Sequence, residues 1–308
     1  MASPGDSTRS PPYIGRFAPS PTGPLHFGSL LSALASYLDA YANQGTWLVR
    51  MEDLDPPREV PGAAEQILQC LLDHGLNWHG DVLYQSQRLE HYHSLIADLK
   101  ERDLAYPCTC NRARINQLKG IYDGRCREHP QHGQPSATRV KVSHLPDTFN
   151  IQARVVFKDL IQGPFQQNLD TEVGDFIICR KDGLVAYQLA VVADDIHQGI
   201  THIVRGSDLL DSSPRQQFLF NLLGARPPQF AHIPLAYNQE GQKLSKQNHA
   251  AALSSKNASH NVFAALIFLN QSPPNTLKGA PTSDILEWAI ANWQLATIPA
   301  RLHLPDNS

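Results

Sequence analysis

The feature that most constrains this chain is the run Arg16-Phe17-Ala18-Pro19-Ser20-Pro21-Thr22-Gly23-Pro24-Leu25-His26-Phe27-Gly28-Ser29, set between an apolar segment and an amphipathic one. Tyr13 to Ala18 has the length and apolar content of a buried strand, and Leu30, Leu34, Leu38 and Tyr41 recur at helical spacing. Thr46 to Met51 reads as a second strand. Strand, Pro/Gly turn, helix and strand make a βαβ unit. Its first turn delivers a helix N-terminus, where backbone N–H groups favour anions. The run is therefore predicted to handle phosphate, and a nucleotide could sit against it.

A chain of 308 residues can bury a substantial core and accommodates about two domains. It has no run of 18 or more apolar residues, and residues 1–12 lack the apolar core of a signal peptide. Those twelve are read as a disordered tail, and the chain is expected to be a cytoplasmic monomer with no membrane partner. A net charge of −3 supplies no global basic field, so a nucleic acid would have to meet a local patch. Arg112, Arg114, Lys119, Arg125 and Arg127 are one candidate, although charge alone fits a solvated loop equally well. Of five cysteines, Cys108, Cys110 and Cys126 are clustered while Cys70 and Cys179 stand alone. Disulfides do not explain that clustering, whereas zinc does. General ligand preference makes His129 or His132 the fourth donor; the alternative is a loop with free thiols.

Further along, Glu52-Asp53-Leu54-Asp55-Pro56-Pro57-Arg58 is a charged loop at the carboxyl end of a predicted parallel strand, where ligands sit in open α/β sheets. Ala63 to His74 is predicted helical, stopped by Gly75. A further helix runs to Arg102, capped by Ser86, with Leu89, Tyr92, Leu95, Ile96 and Leu99 inward. Strands are predicted at Thr138–Val142, Ala153–Phe157 and Phe176–Arg180, with Lys181-Asp182-Gly183 as a hairpin turn. The main sheet is expected to resume at Ala186–Ala193, an element ended by Asp194-Asp195. His202 to Asp208 repeats the pattern of a buried strand that ends in Arg and a carboxylate turn. Gln216 to Leu223 reads as a helix and Phe230 to Leu235 as a short strand. The Gly-containing loop from Asn238 to Gln247 carries Lys243 and Lys246, which could neutralise a leaving pyrophosphate. Helices at 261–269 and 283–293 close the chain. The organisation read here is a first catalytic half at 13–104, a zinc-binding α+β insertion at 105–185, a second catalytic half at 186–248 and a helical region at 249–308.

His26-Phe27-Gly28-Ser29 together with Lys243-Leu244-Ser245-Lys246 resembles the HIGH and KMSKS signatures of class I aminoacyl-tRNA synthetases. Arg16 to Gly23, Arg50-Met51-Glu52-Asp53 and Val204-Arg205-Gly206-Ser207-Asp208 are similar to the glutamyl-tRNA synthetase subgroup. Those enzymes continue into an anticodon-binding region for which this chain has no room. With Cys-x-Cys, Ile121-Tyr122-Asp123-Gly124 and Lys-Leu-Ser-Lys-Gln-Asn, the chain resembles over its whole length the glutamyl-Q tRNA(Asp) synthetase family of short paralogues. Two departures from the general class I pattern stand out. Ser29 replaces the second His of HIGH and Gln247 the last Ser of KMSKS, which throws phosphate contact onto His26 and Lys246.

The resemblance implies a Rossmann-type parallel sheet with a zinc subdomain, and a ligase that activates L-glutamate with ATP and Mg2+ without needing tRNA. It then implies transfer of glutamate to the queuosine base at the wobble position of tRNA(Asp). It maps glutamate contacts onto Arg16, Phe17, Ala18, Pro19, Ser20, Glu52, Tyr187 and Arg205. ATP contacts fall on His26, Gly28, Ser29, Lys243 and Lys246, with His26 and Lys246 catalytic. It also makes Tyr122 the fourth zinc ligand beside Cys108, Cys110 and Cys126, in place of a histidine. A dicarboxylic amino acid suits such a set, since Arg16 and Arg205 can take its side-chain carboxylate bidentately and Glu52 its ammonium. The rival readings are a truncated enzyme that charges a tRNA 3′ end, an adenylyltransferase with another substrate, and a zinc-stabilised RNA-binding module without catalysis.

Overall fold

The computed structural model describes residues 12–118, 120–130, 133–237, 244 and 251–305. Its organising unit is β1 (Ile14–Phe17), α1 (Phe27–Ala42) and β2 (Thr46–Met51), with β1 and β2 parallel and in register from Ile14 opposite Thr46 to Phe17 opposite Val49. Helix α1 begins three residues before Leu30 because His26 caps it: the ring Nδ1 accepts the Ser29 N–H at 3.2 Å. Leu30, Leu31, Leu34 and Leu38 of α1 are fully buried and form the centre of the main core. Each such leucine contributes about 1.5–3 kcal/mol through burial.

Next come α2 (Ala63–Asp73), β3 (Leu83–Tyr84), which pairs parallel with β2, and α3 (Leu89–Glu101). Ser86 does not cap α3. It lies in a 3₁₀ turn and donates through both its N–H and its hydroxyl to the Asp53 carboxylate. Tyr92, Ile96 and Leu99 face inward as expected, but Leu89, in the first turn of α3, is exposed.

The central segment consists of β4 (Ala105–Cys108), α4 (Arg112–Gln117), α5 (Arg125–Glu128), β5 (Ala137–Val140), β6 (Arg154–Asp159), β7 (Gly163–Asn168), α6 (Leu169–Glu172) and β8 (Phe176–Cys179). Strands β4, β5 and β8 form an antiparallel sheet, and β6 and β7 form a hairpin. Lys181-Asp182-Gly183 does make a tight hairpin turn: Val185 bridges back antiparallel to Cys179, and the Arg180 N–H donates to the Leu184 carbonyl at 2.8 Å, before the chain enters a helix. That helix, α7 (Tyr187–His197), occupies the segment expected to resume the sheet. Leu189 to Ala193 are buried without a break, and an all-apolar run carries no periodicity to separate a buried helix from a buried strand. Asp194 and Asp195 lie inside α7 and do not end it.

The chain continues through β9 (His202–Gly206), α8 (Ser213–Leu222), β10 (Gln229–Ile233), β11 (Leu235–Tyr237), α9 (Ala258–Phe268), α10 (Thr282–Asn292) and β12 (His303–Pro305). Strands β9 and β10 are parallel, as are β11 and β12. The β9–β10 pair meets the β1–β2–β3 group at β1, where the Thr201 N–H donates to the Ile14 carbonyl at 2.9 Å. Helices α9 and α10 pack on α1 through Val262, Leu266, Ile285 and Ala289 and so belong to the main core. Trp293 seals that contact with an indole hydrogen bond to Asp39 at 2.9 Å. Among the described residues no helix is long and apolar enough to cross a membrane.

Candidate active site and metal centre

The carboxyl ends of β1, β2, β9 and β10 open into a cavity of about 700 Å3. Arg16 to Ser20 enter it from β1 and the loop that follows; Glu52 enters after β2, Tyr187 at the start of α7, and Arg205 from β9. His26, Gly28 and Ser29 bring the N-terminus of α1 to the same wall. A Cβ on Gly28 would stand 2.8 Å from the Leu244 carbonyl oxygen and 3.2 Å from the His26 ring, so only glycine lets these segments approach. Lys243 and Lys246 lie outside the described residues, but Leu244 between them lines the cavity. The chain beyond is tied to the His26 turn by a bridge from Ala252 and by the Leu253 N–H donating to Leu25.

Charge behind the cavity is arranged in two clusters. In the first, Asp195 receives Arg16 Nε at 3.1 Å and Nη2 at 3.4 Å, together with Arg50 Nη1 at 2.8 Å. Arg50, fully buried, also reaches Glu52 at 3.4 Å and Gln198 at 2.8 Å. Asp194, next in line, accepts from Gln85, Arg88 and Tyr92 at 2.7–2.8 Å. Burial opposes ionisation of Asp195, but Arg16 and Arg50 outweigh it and hold the carboxyl below its ordinary range. For Glu52 burial prevails over the same two arginines and pushes the carboxyl up.

The second cluster centres on Arg205. Its Nε donates to His232 Nε2 at 3.0 Å, and its Nη2 donates to Ser213 Oγ at 2.8 Å and to the Leu209 carbonyl at 3.3 Å. Its Nη1 is buried with no hydrogen-bond partner, and among the described residues no carboxylate forms an ion pair with it. Burial lowers its pKa.

Away from the cavity, the thiols of Cys108, Cys110 and Cys126 lie within 4.8 Å of one another. The Tyr122 hydroxyl is 3.4 Å from Cys108 Sγ and 3.6 Å from Cys110 Sγ, and Cys110 and Cys126 Sγ are 3.5 Å apart. A tetrahedron with metal–sulfur bonds of about 2.3 Å has edges of about 3.8 Å, so the three thiols are spaced such that they could hold one metal ion, and the Tyr122 hydroxyl lies beside them. Around them, Arg139 donates to Cys108 at 3.3 Å and covers the Tyr122 ring at 3.7 Å, while Arg114 donates to Cys110 at 3.7 Å. Such cations offset the charge of a thiolate-rich site. His129 is exposed and outside the thiol group, whereas the Tyr122 hydroxyl lies next to Cys108 and Cys110; His132 lies outside the described residues. The basic patch is partly neutralised: Arg114 pairs with Asp123 and Arg127 with Asp175, while Arg112 and Arg125 stay exposed.

The sequence profile of the tRNA synthetases class I (E and Q), catalytic domain, matches residues 14–270. The glutamyl-Q tRNA(Asp) synthetase of Ectopseudomonas mendocina (strain ymp) is 50% identical over 289 residues, 93% of this chain and 95% of its own. That of Klebsiella pneumoniae (strain 342) is 51% identical over 288 residues, again 93% and 95%. The chain belongs to the glutamyl-Q tRNA(Asp) synthetase family. It is thus a class I aminoacyl-tRNA synthetase-type ligase. A crystal structure of a glutamate tRNA ligase from Elizabethkingia meningosepticum CCUG26117, in complex with its amino acid, superposes with a TM-score of 0.78 at 24% identity. It covers 96% of this chain and 67% of that one, which establishes the shared fold.

For this family member the sequence reading missed Arg50, Asp194, Asp195, Asp159 and His232. A signal existed for the first three: an arginine inside an apolar strand and two adjacent acids inside an apolar run must be paired if buried. Asp159 and His232 carry no local signal at all.

Proposed function

We propose that this chain activates L-glutamate with ATP and Mg2+, without tRNA, and transfers the glutamyl group to the queuosine base at the wobble position of tRNA(Asp). The observation that carries the reading is Arg205, a buried guanidinium that lines the cavity and, among the described residues, has no carboxylate in ion-pair range. A substrate carboxylate would complete it. Glu52, which lines the same cavity, suits an ammonium group, and Tyr187 lines it as well. Arg16 is already paired through two nitrogens with Asp195, so its share in holding glutamate would fall to its remaining edge.

The glutamate α-carboxylate would attack the α-phosphorus of ATP, forming glutamyl-adenylate and releasing pyrophosphate. Because the Nδ1 of His26 accepts the Ser29 N–H, the neutral ring carries its proton on Nε2, where it can donate to a phosphate oxygen. The N-terminus of α1 adds positive potential; Lys243 and Lys246, and a magnesium ion entering with ATP, would supply further charge for the leaving group. Positioning and electrostatics then suffice, with no covalent enzyme intermediate. A second cavity of about 350 Å3 shares Ser20, Thr22, Glu52 and Tyr187 with the first and gives an acceptor hydroxyl room to reach the adenylate.

Cys108, Cys110, Tyr122 and Cys126 would hold one structural zinc ion, a cross-link for an insertion spanning 105–185 between catalytic halves at 13–104 and 186–248. The helical region at 249–308 would contribute to the groove for tRNA. Metal analysis of the purified chain should find zinc, and Cys110→Ser should lose it.

Glutamate-dependent ATP–pyrophosphate exchange without tRNA is the first test of the reading. Labelled glutamate should then pass to tRNA(Asp) that carries the modified base and not to tRNA(Asp) that lacks it. Transfer regardless of the modification, or to a 3′ end, would favour the conventional charging enzyme.

A further inference from the structure

Arg205 is aimed from behind by residues remote in the sequence. Asp159, at the end of β6, meets His232 on β10: the Asp159 Oδ2 to His232 Nδ1 distance is 2.6 Å, and both side chains are wholly buried. The other Asp159 oxygen accepts the backbone N–H groups of Ile161, Gln162 and His232 at 2.8–3.1 Å, so the carboxylate cannot swing away. Burial lowers the pKa of His232, with Arg205 acting in the same direction, which favours a neutral ring. With Asp159 accepting at Nδ1, the proton of that ring sits on Nδ1, and Nε2 is left as an acceptor. Arg205 Nε donates to it at 3.0 Å. Ser213 Oγ, 3.1 Å from the same Nε2, takes the Arg205 Nη2 proton at 2.8 Å. Two of the three guanidinium nitrogens are thereby fixed by neutral acceptors, and the third, Nη1, has no hydrogen-bond partner among the described residues. Phe230 supports the guanidinium at 5.1 Å from its ring centre.

We infer that Asp159, His232 and Ser213 are positioning residues for substrate recognition: they fix the Arg205 fork and its tautomeric partner so that one N–H edge faces the substrate carboxylate. The arrangement holds the cation without neutralising it. A carboxylate in place of His232 would pair with Arg205 and compete with the substrate; the imidazole places the balancing charge one ring further away, on Asp159. The hairpin of β6 and β7 therefore serves the cavity although it does not line it. The inference rests on the reading of this cavity as the glutamate site.

Steady-state glutamate-dependent ATP–pyrophosphate exchange tests it. In Asp159→Asn the new amide would donate to Nδ1, move the ring proton to Nε2 and turn an N–H against Arg205 Nε–H. The KM for glutamate should rise roughly tenfold or more, while the KM for ATP stays within about twofold and the chain remains folded. His232→Leu should lose at least as much, and His232→Gln, which restores an acceptor near Nε2, should recover part of it. Ser213→Ala removes one oxygen atom; it keeps the test open if either buried substitution prevents folding, and should raise the glutamate KM a few-fold. Folded variants with an unchanged glutamate KM, equal losses for glutamate and ATP, or no recovery by His232→Gln relative to His232→Leu would overturn the inference. Absence of exchange in the unmodified protein would instead overturn the functional reading beneath it.

Discussion

Two buried arginine clusters stand behind one cavity, and they balance their charge in opposite ways. Arg16 and Arg50 share the Asp195 carboxylate, with Asp194 and Glu52 close by, so this side is closed by the protein itself. Among the described residues Arg205 rests on an imidazole, a hydroxyl and a carbonyl, with no carboxylate in ion-pair range, so that side has room for the charge of a ligand. The difference separates a framework from a receptor. A buried cation whose counter-ion is built in adds rigidity, whereas one held by neutral acceptors keeps its attraction for an incoming anion.

The largest expected effect lies on the closed side. Asp195→Ala leaves two buried guanidinium groups without their shared partner, which should cost about 3–5 kcal/mol. A thermal melt should show the midpoint lowered by on the order of 10 °C; an unchanged melt would break the distinction between the clusters. On the open side, Arg205→Ala should do the reverse. It should keep the melt near that of the parent chain yet reduce kcat/KM for glutamate in exchange by about 100-fold or more, a loss of about 2.7 kcal/mol. Arg16→Lys is the intermediate case: a single ammonium cannot keep both contacts to Asp195, and both stability and glutamate affinity should fall by about 1 kcal/mol each.

The smallest expected effect is on pH dependence, and it sharpens the contrast. His232 has its folded pKa lowered from the ordinary 6.5, with burial the first cause, so at acid pH the unfolded chain takes up a proton there before the folded chain does. Its contribution to stability is therefore present above about pH 6.5 and declines as the pH falls below it, by at most about 1.4 kcal/mol per unit. Denaturant unfolding at pH 7 and pH 5.5 should show a smaller decline in His232→Gln than in the parent chain. Asp195, depressed below 3.8, behaves differently: its contribution is full above that value and is lost only as the pH falls through the lower folded pKa. The open cluster should weaken first on acidification.

How far these arrangements were legible in advance depends on sequence distance. The β1–α1–β2 unit was readable because its strand, Pro/Gly turn and leucine period are contiguous, and β2 was read with the bounds it has. Segment 186–193, where the main sheet is expected to resume, is instead mostly helix; Leu189 to Ala193 are all buried and apolar and show no period that would tell helix from strand. Tyr122 is singled out by the resemblance and not by ligand preference, and only the fold shows its hydroxyl within 3.6 Å of the Cys108 and Cys110 thiols. Gly174 permits that placement: its φ of +69° and the 2.3 Å that a Cβ would leave to the Tyr122 carbonyl admit no larger residue.

By itself the sequence determined the phosphate-handling turn, the thiol cluster, the cationic residues at the strand ends and the family. These are properties of residue type and local order, and local order is what periodicity and turn chemistry report. Only the tertiary structure decided which cation would be neutralised and which left for a ligand. Asp195 on α7 is 179 positions from Arg16 on β1, and Asp159 on β6 is 73 from His232 on β10; each reaches its partner only when these elements pack together. The strength of a buried charge depends on what stands within a few ångströms of it, and that neighbourhood forms only on folding.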